Sequence, residues 1–104
     1  MPKLLCRGIK ESLVREVSKN LTKDLSILLE IPTDRFTFAM PVSNEILIKE
    51  GKDAEQAPHV KVTWFERSDE LMTSAAVLIR KNFLEAGIQD VEVYYENLYK
   101  KYSK

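Results

Sequence analysis

Two stretches of this chain open the same way, 56 residues apart. Pro2-Lys3-Leu4 and Pro58-His59-Val60 each set a proline before a strand-like run, and Asp34 and Asp90 repeat at the same spacing. Self-similarity on this scale predicts two supersecondary units that bury a shared core, because neither half covers its apolar face alone. With 104 residues there is room for one domain, expected to span 1–104.

Within each unit the apolar spacing switches from alternate to helical and back. Lys3 to Arg7 reads as a short strand broken by Gly8. From about Lys10 to Glu30, Leu13, Val14, Val17, Leu21, Leu25 and Leu28 recur at amphipathic-helix spacing. Pro32 ends that helix, since the residue before a proline avoids the helical region. Phe36 to Met40 alternates like a strand and stops at Pro41. A short extra strand is expected within 45–49, from Ile46-Leu47-Ile48, followed by a polar loop from Lys49 to Ala57. His59 to Phe65 alternates again. Ser68 is placed to cap a second helix, with Leu71, Ala75, Ile79 and Phe83 inward and Gly87 closing it. Val91 to Tyr95 forms the last strand, and the basic tail from Lys100 is expected to fray.

Two architectures share this order. A ferredoxin-like sheet needs a tight turn between the second and third strands, whereas paired β-α-β units need a travelling connection. The stretch from Val42 to about Pro58 is too long for a hairpin turn and favours the paired units. The expected fold is α+β: two pseudo-symmetric β-α-β units forming a four-stranded mixed sheet, with two helices on one face. Apolar and aromatic strand residues are expected on both faces, so the uncovered face is left for other copies of the chain.

Charge narrows the partners. Sixteen basic residues balance sixteen acidic ones, without the basic surface of a nucleic-acid protein. An RNA-binding module has the same element order, and Trp64-Phe65 supplies aromatics in the third strand, but Leu4-Leu5-Cys6 supplies none in the first. No nucleic-acid partner is expected. Apolar runs such as Ala75 to Ile79 are far shorter than a membrane span, so no membrane partner is expected either. Arg7, Lys10 and Glu11 interrupt any leader-like opening, and a cytoplasmic protein is expected. Cys6 and His59 are the sole residues of their types, which leaves no intrachain disulfide and no cysteine cluster for a metal. Cys6, in mid-strand, reads as a buried inert thiol.

Pro2 is the candidate for chemistry. Methionine is usually trimmed before a small residue, and Pro2 then becomes an N-terminal secondary amine held at the start of a strand. An α-amino group titrates near about 7.7–8.0, and desolvation disfavours the cation. A fall of about one unit leaves roughly half the population basic at neutral pH, which suits a general base. The bland alternative is that the proline merely starts an edge strand.

Pro2, the two β-α-β units, the corner Ile31-Pro32-Thr33-Asp34-Arg35-Phe36 and the strand Val91-Glu92-Val93-Tyr94-Tyr95-Glu96 together resemble the tautomerase superfamily. That superfamily includes macrophage migration inhibitory factor and the hydroxymuconate isomerases. Over nearly its whole length the chain is more closely similar to a small bacterial family of uncharacterised proteins within it, through Arg7-Gly8-Ile9 and Val62-Thr63-Trp64-Phe65-Glu66-Arg67. The resemblance implies a trimer whose sheets enclose a central barrel, with sites at subunit interfaces. It also implies a cofactor-independent isomerase. The lysine that cytokine-like members carry at the corner is matched by Ile31, their pocket tyrosine and asparagine by Val91 and Val93, and their corner tyrosine by Arg35. These departures leave the phenylketo-acid chemistry of those members without its pocket residues.

Two functions remain open at this point. One is a tautomerase or isomerase that moves a proton in a small acidic keto-enol substrate, with Pro2 as catalytic base and no cofactor or metal. Arg35, Trp64, Phe65, Arg67 and Tyr94 are its candidate substrate-binding residues. Arg35 stands ahead of Arg67 as the cation, because the start of the second strand, expected at Arg35, would lie beside Pro2. Trp64 and Phe65 alternate, so at most one lines any single pocket. The other is a non-catalytic homotrimer of the same fold that binds or supports a partner.

Overall fold

The computed structural model describes residues 2–42 and 45–99. The expected basic tail from Lys100 lies outside the described residues. The elements run β1 (Lys3–Arg7), α1 (Glu11–Leu29), β2 (Thr37–Ala39), β3 (Leu47–Lys49), β4 (Lys52–Ala54), β5 (His59–Phe65), α2 (Asp69–Glu85) and β6 (Glu92–Leu98).

β1 lies parallel to β2, with Lys3 opposite Thr37, and antiparallel to β5, with Lys3 opposite Thr63 and Arg7 opposite His59. β5 lies parallel to β6, with His59 opposite Glu92. The order β2-β1-β5-β6 is that of paired β-α-β units. The repeat extends to the backbone: Thr37 N–H donates to the Pro2 carbonyl at 3.1 Å, and Glu92 N–H to the Pro58 carbonyl at 3.2 Å.

Both helices cover one sheet face. Leu4, Cys6, Val60, Val62 and Trp64 project from β1 and β5 into a core with Val14, Val17, Leu21 and Leu25 of α1 and Ala75, Ile79 and Phe83 of α2. The Ser68 hydroxyl accepts the Leu71 N–H at 3.2 Å, satisfying one of the free donors at the start of α2. The buried Asn82 of α2 donates to Asp24 of α1 at 3.0 Å and to its own helix at the Leu78 carbonyl at 2.9 Å.

Three expectations need correction. The stretch Lys49 to Ala57 is not all loop: β4 pairs with β3 in a hairpin closed by Glu50 and Gly51, at φ 52° and 77°. Positive φ at both turn residues matches the twist of the strands, and a glycine accepts it without steric cost. Lys52-Asp53-Ala54 has no β-branched or aromatic residue, so the strand is invisible in the sequence pattern. Arg35 does not begin the second strand; it ends a single 3-10 turn (Thr33–Arg35), its N–H bonded to the Pro32 carbonyl at 3.1 Å.

The third correction concerns the uncovered sheet face, which is mainly polar. Alternation places Lys3 and Arg7, Thr37, His59, Lys61 and Thr63, and Glu92, Tyr94 and Glu96 on it, with Leu5, Ala39, Phe65 and Leu98 as apolar members. Thr63 donates to Glu96 at 3.1 Å across β5 and β6. Strand alternation has sorted the apolar residues onto the helix side more completely than composition suggests.

Candidate active site at the start of the first strand

Pro2 is fully buried. It stands one residue before the Lys3–Thr63 pair, so it lies across from Trp64 and on the helix side with Leu4. Its carbonyl is held by Thr37 from the other flank. A residue that is usually a frayed terminus is thus seated between two strands.

Trp64 is the wall of this seat. Its side chain is 1% exposed, its ring stacks on Tyr95 at 4.8 Å and 10°, and its indole N–H donates to Asn97 Oδ1 at 2.8 Å. The Tyr95 hydroxyl donates to the Met72 carbonyl at 2.6 Å, and burial pushes its phenol up to about 12, which keeps it a neutral donor. The Asn97 amide closes the set against Met72 Sδ at 3.8 Å. Rotamers locked in this way hold the Trp64 ring in one place.

Arg67 supplies a cation. Its guanidinium carbon lies 5.6 Å from the Trp64 ring centroid, and its Nε is buried with no hydrogen-bond partner among the described residues. Among the described residues this guanidinium rests on an aromatic face and pairs with no carboxylate, so its terminal nitrogens carry no ion pair. The β5–α2 turn makes this possible: Glu66 N–H is anchored on the Leu98 carbonyl at 2.9 Å, and Ser68 then caps α2.

Strand register therefore sets Pro2 and Trp64 at one end of the sheet, and Arg67, two residues beyond β5, lies on the Trp64 ring. Arg35 is exposed on its 3-10 turn and has no ion pair among the described residues. Phe65, 39% exposed, and Tyr94, 51% exposed, lie on the opposite, open face. Tyr94 meets His59 edge-on at 5.8 Å and donates to Glu92, whose hydrogen bond and charge raise the phenol's pKa. Within one protomer neither aromatic shares a face with Pro2. Asn97 and Met72, which fix Trp64, carried no signal in the sequence, because their role comes from cross-strand register. Cys6 is buried, and desolvation pushes its thiol up to about 12, which makes it a core residue and not a nucleophile.

Paired β-α-β units with helices on one face are the fold of the tautomerase superfamily. A macrophage migration inhibitory factor-like protein from Entamoeba histolytica superposes with a TM-score of 0.67 at 14% identity, over 94% of this chain and 89% of its own. A fused 4-OT protein, described as an asymmetric trimer, superposes at 0.71 and 11% identity, over 92% and 85%. At such identities the likeness is one of fold. The chain itself belongs to the family described as Domain of unknown function (DUF1904), whose model matches residues 1–104. A crystal structure of that domain from Sebaldella termitidis ATCC 33386 is 26% identical, with a TM-score of 0.80 over 94% of this chain and 89% of that one. No curated protein matches the sequence.

Proposed function

We propose that the protein is a cofactor-independent tautomerase acting on a small acidic keto-enol substrate, with the Pro2 nitrogen as general base after removal of Met1. The observation that carries this reading is the placement of Arg67 on the buried Trp64 ring, across from Pro2. Burial and a fixed neighbouring cation both favour the neutral amine. The amine takes the enol hydroxyl proton, the enolate develops beside Arg67, and the prolinium returns a proton to the carbon next to the new carbonyl to give the keto acid. Arg67 holds the substrate carboxylate, with Arg35 as the second choice because it is solvent-exposed.

The assembly that suits this site is a homotrimer. The mainly polar open face fits the lining of a water-filled channel between sheets, and the fused 4-OT protein is described as a trimer. In such an assembly Phe65 and Tyr94 act from a neighbouring protomer.

One observation favours a non-catalytic trimer instead: Pro2 is fully buried, as an anchoring residue would be. Mass spectrometry of untagged protein separates the two, since retained Met1 leaves Pro2 an amide without basicity. With Met1 absent, turnover of phenylenolpyruvate or hydroxymuconate is compared between wild type and Pro2→Ala. A lower but measurable rate in the variant, whose primary amine is still basic, supports the prolyl base. Equal rates overturn it.

A further inference from the structure

The far end of β1 borders a cleft, about 17 Å from Pro2 at ~3.3 Å per strand residue. It encloses about 400 Å³ between the β1–α1 corner, the end of β2 and the β3–β4 hairpin, and its lining includes Arg7, Lys10, Met40, Glu45, Leu47 and Gln56. Small-molecule sites typically span about 300–1,000 Å³.

Arg7 is its chemical centre. Its Nη1 pairs with Glu45 Oε1 at 2.9 Å, while its Nε is buried with no hydrogen-bond partner among the described residues. A guanidinium carries five N–H donors in a planar fork, and a single carboxylate contact through one nitrogen leaves most of that fork unused. Lys10 adds a second cation, so Arg7 and Lys10 against Glu45 leave this cluster with an excess of positive charge. Gly8, at φ 73°, turns the chain so tightly that a Cβ there would stand 2.8 Å from the Gln56 and Ala57 carbonyls. That close approach sets Gln56 in the lining, its side-chain amide nitrogen 3.4 Å from the Ala57 carbonyl and 3.3 Å from His59 Nδ1. Met40 and Leu47 are the apolar walls.

The internal repeat gives this cleft its meaning. The β1–α1 corner is the counterpart of the β5–α2 turn that carries Arg67. Because Arg7 pairs with His59, the β1–α1 corner abuts Pro58 as the end of β5 abuts Pro2. The nitrogen of Pro58 is part of a peptide bond and has no basicity. A small acid held here meets cations and apolar walls but no prolyl base.

We propose that this cleft is a second ligand site, which binds a small dicarboxylate without transforming it. One carboxylate takes the terminal nitrogens of Arg7, in competition with Glu45, and the other lies toward Lys10. The proposal does not depend on Pro2 being catalytic.

Succinate titrated into the full-length, ¹⁵N-labelled protein tests it, with the arginine Nε–H resonances as the readout. The expected result is a saturable shift at Arg7, whether or not Arg67 also responds. Glu45→Gln removes the competing charge and is expected to tighten binding about tenfold, and Arg7→Lys to weaken it by about tenfold or more. No response at Arg7 in the wild type, or weaker binding in Glu45→Gln, overturns the proposal. Should Arg7→Lys fail to fold, the wild-type and Glu45→Gln titrations decide the matter alone.

Discussion

The guanidinium of Arg67 rests 5.6 Å from the centre of the Trp64 ring, so the cation across from Pro2 is positioned by an aromatic face. Trp64 in turn is fixed by Tyr95 and Asn97 of β6. In the proposed site the second β-α-β unit builds the wall and the charge, and the first contributes the proline.

Arg67→Ala is expected to lower kcat/KM for carboxylated enol acids by about 10²–10³, the typical loss when one fixed donor to a developing anion is removed. The lost cation–π contact is worth only about 0.5–1 kcal/mol at a partly exposed site, so melting should change little. Arg67→Lys should recover only part of the rate, because an ammonium does not present a planar fork. Steady-state kinetics beside thermal melts decides this: a variant that loses stability but turns over normally makes Arg67 a packing residue.

Stability is expected to fall on the alkaline side. Burial pushes the Cys6 thiol from 9.0 up to about 12, and the Tyr95 phenol from 10.0 up to about 12. Below about pH 9 both groups keep their protons in the folded and unfolded chain alike, and neither makes stability pH-dependent. Above it the unfolded chain binds fewer protons than the native one, so stability declines by up to about 1.4 kcal/mol per pH unit for each group. Urea titrations between pH 7 and 12 should show this decline, and Cys6→Ala should delay its onset to the range of Tyr95. An onset that Cys6→Ala leaves unmoved would show that the thiol is not desolvated.

Gly8→Ala should be far more damaging than Gly51→Ala. Both residues have positive φ, but a Cβ on Gly8 meets two backbone carbonyls at 2.8 Å, while one on Gly51 meets nothing within 4 Å. Strain alone at Gly51 is worth about 1 kcal/mol; strain plus a clash with fixed backbone at Gly8 is on the order of 3 kcal/mol. Chemical denaturation of the two variants measures the difference, and equal losses would mean that the Gln56–Ala57 segment yields freely.

Sedimentation of the untagged protein at micromolar concentration should give a trimer. A stable monomer would remove the roles assigned to Phe65 and Tyr94 from a neighbouring protomer, leaving Pro2, Trp64 and Arg67 as the whole site.

Most of the architecture was legible because its signals are local. The spacing of Val14, Val17, Leu21 and Leu25 makes one helix face whatever lies around it, and Val60, Val62 and Trp64 alternate onto one side of a strand by backbone geometry. Ser68 caps α2 with its own hydroxyl, a contact complete within one turn. The Pro2–Pro58 repeat specified paired units because the two halves must share a core. Other features depend on residues far apart in the chain. β4 exists because Gly51 allows a tight return, and Lys52–Ala54 then bonds to β3, not because its residues favour a strand. The polar character of the open face follows from register, since a shift of one residue would exchange its side chains with the core. Arg67 passed Arg35 as the favoured cation on tertiary grounds alone. Antiparallel pairing of β1 with β5 carries Trp64 across from Pro2, and the turn after β5 lays Arg67 on that ring.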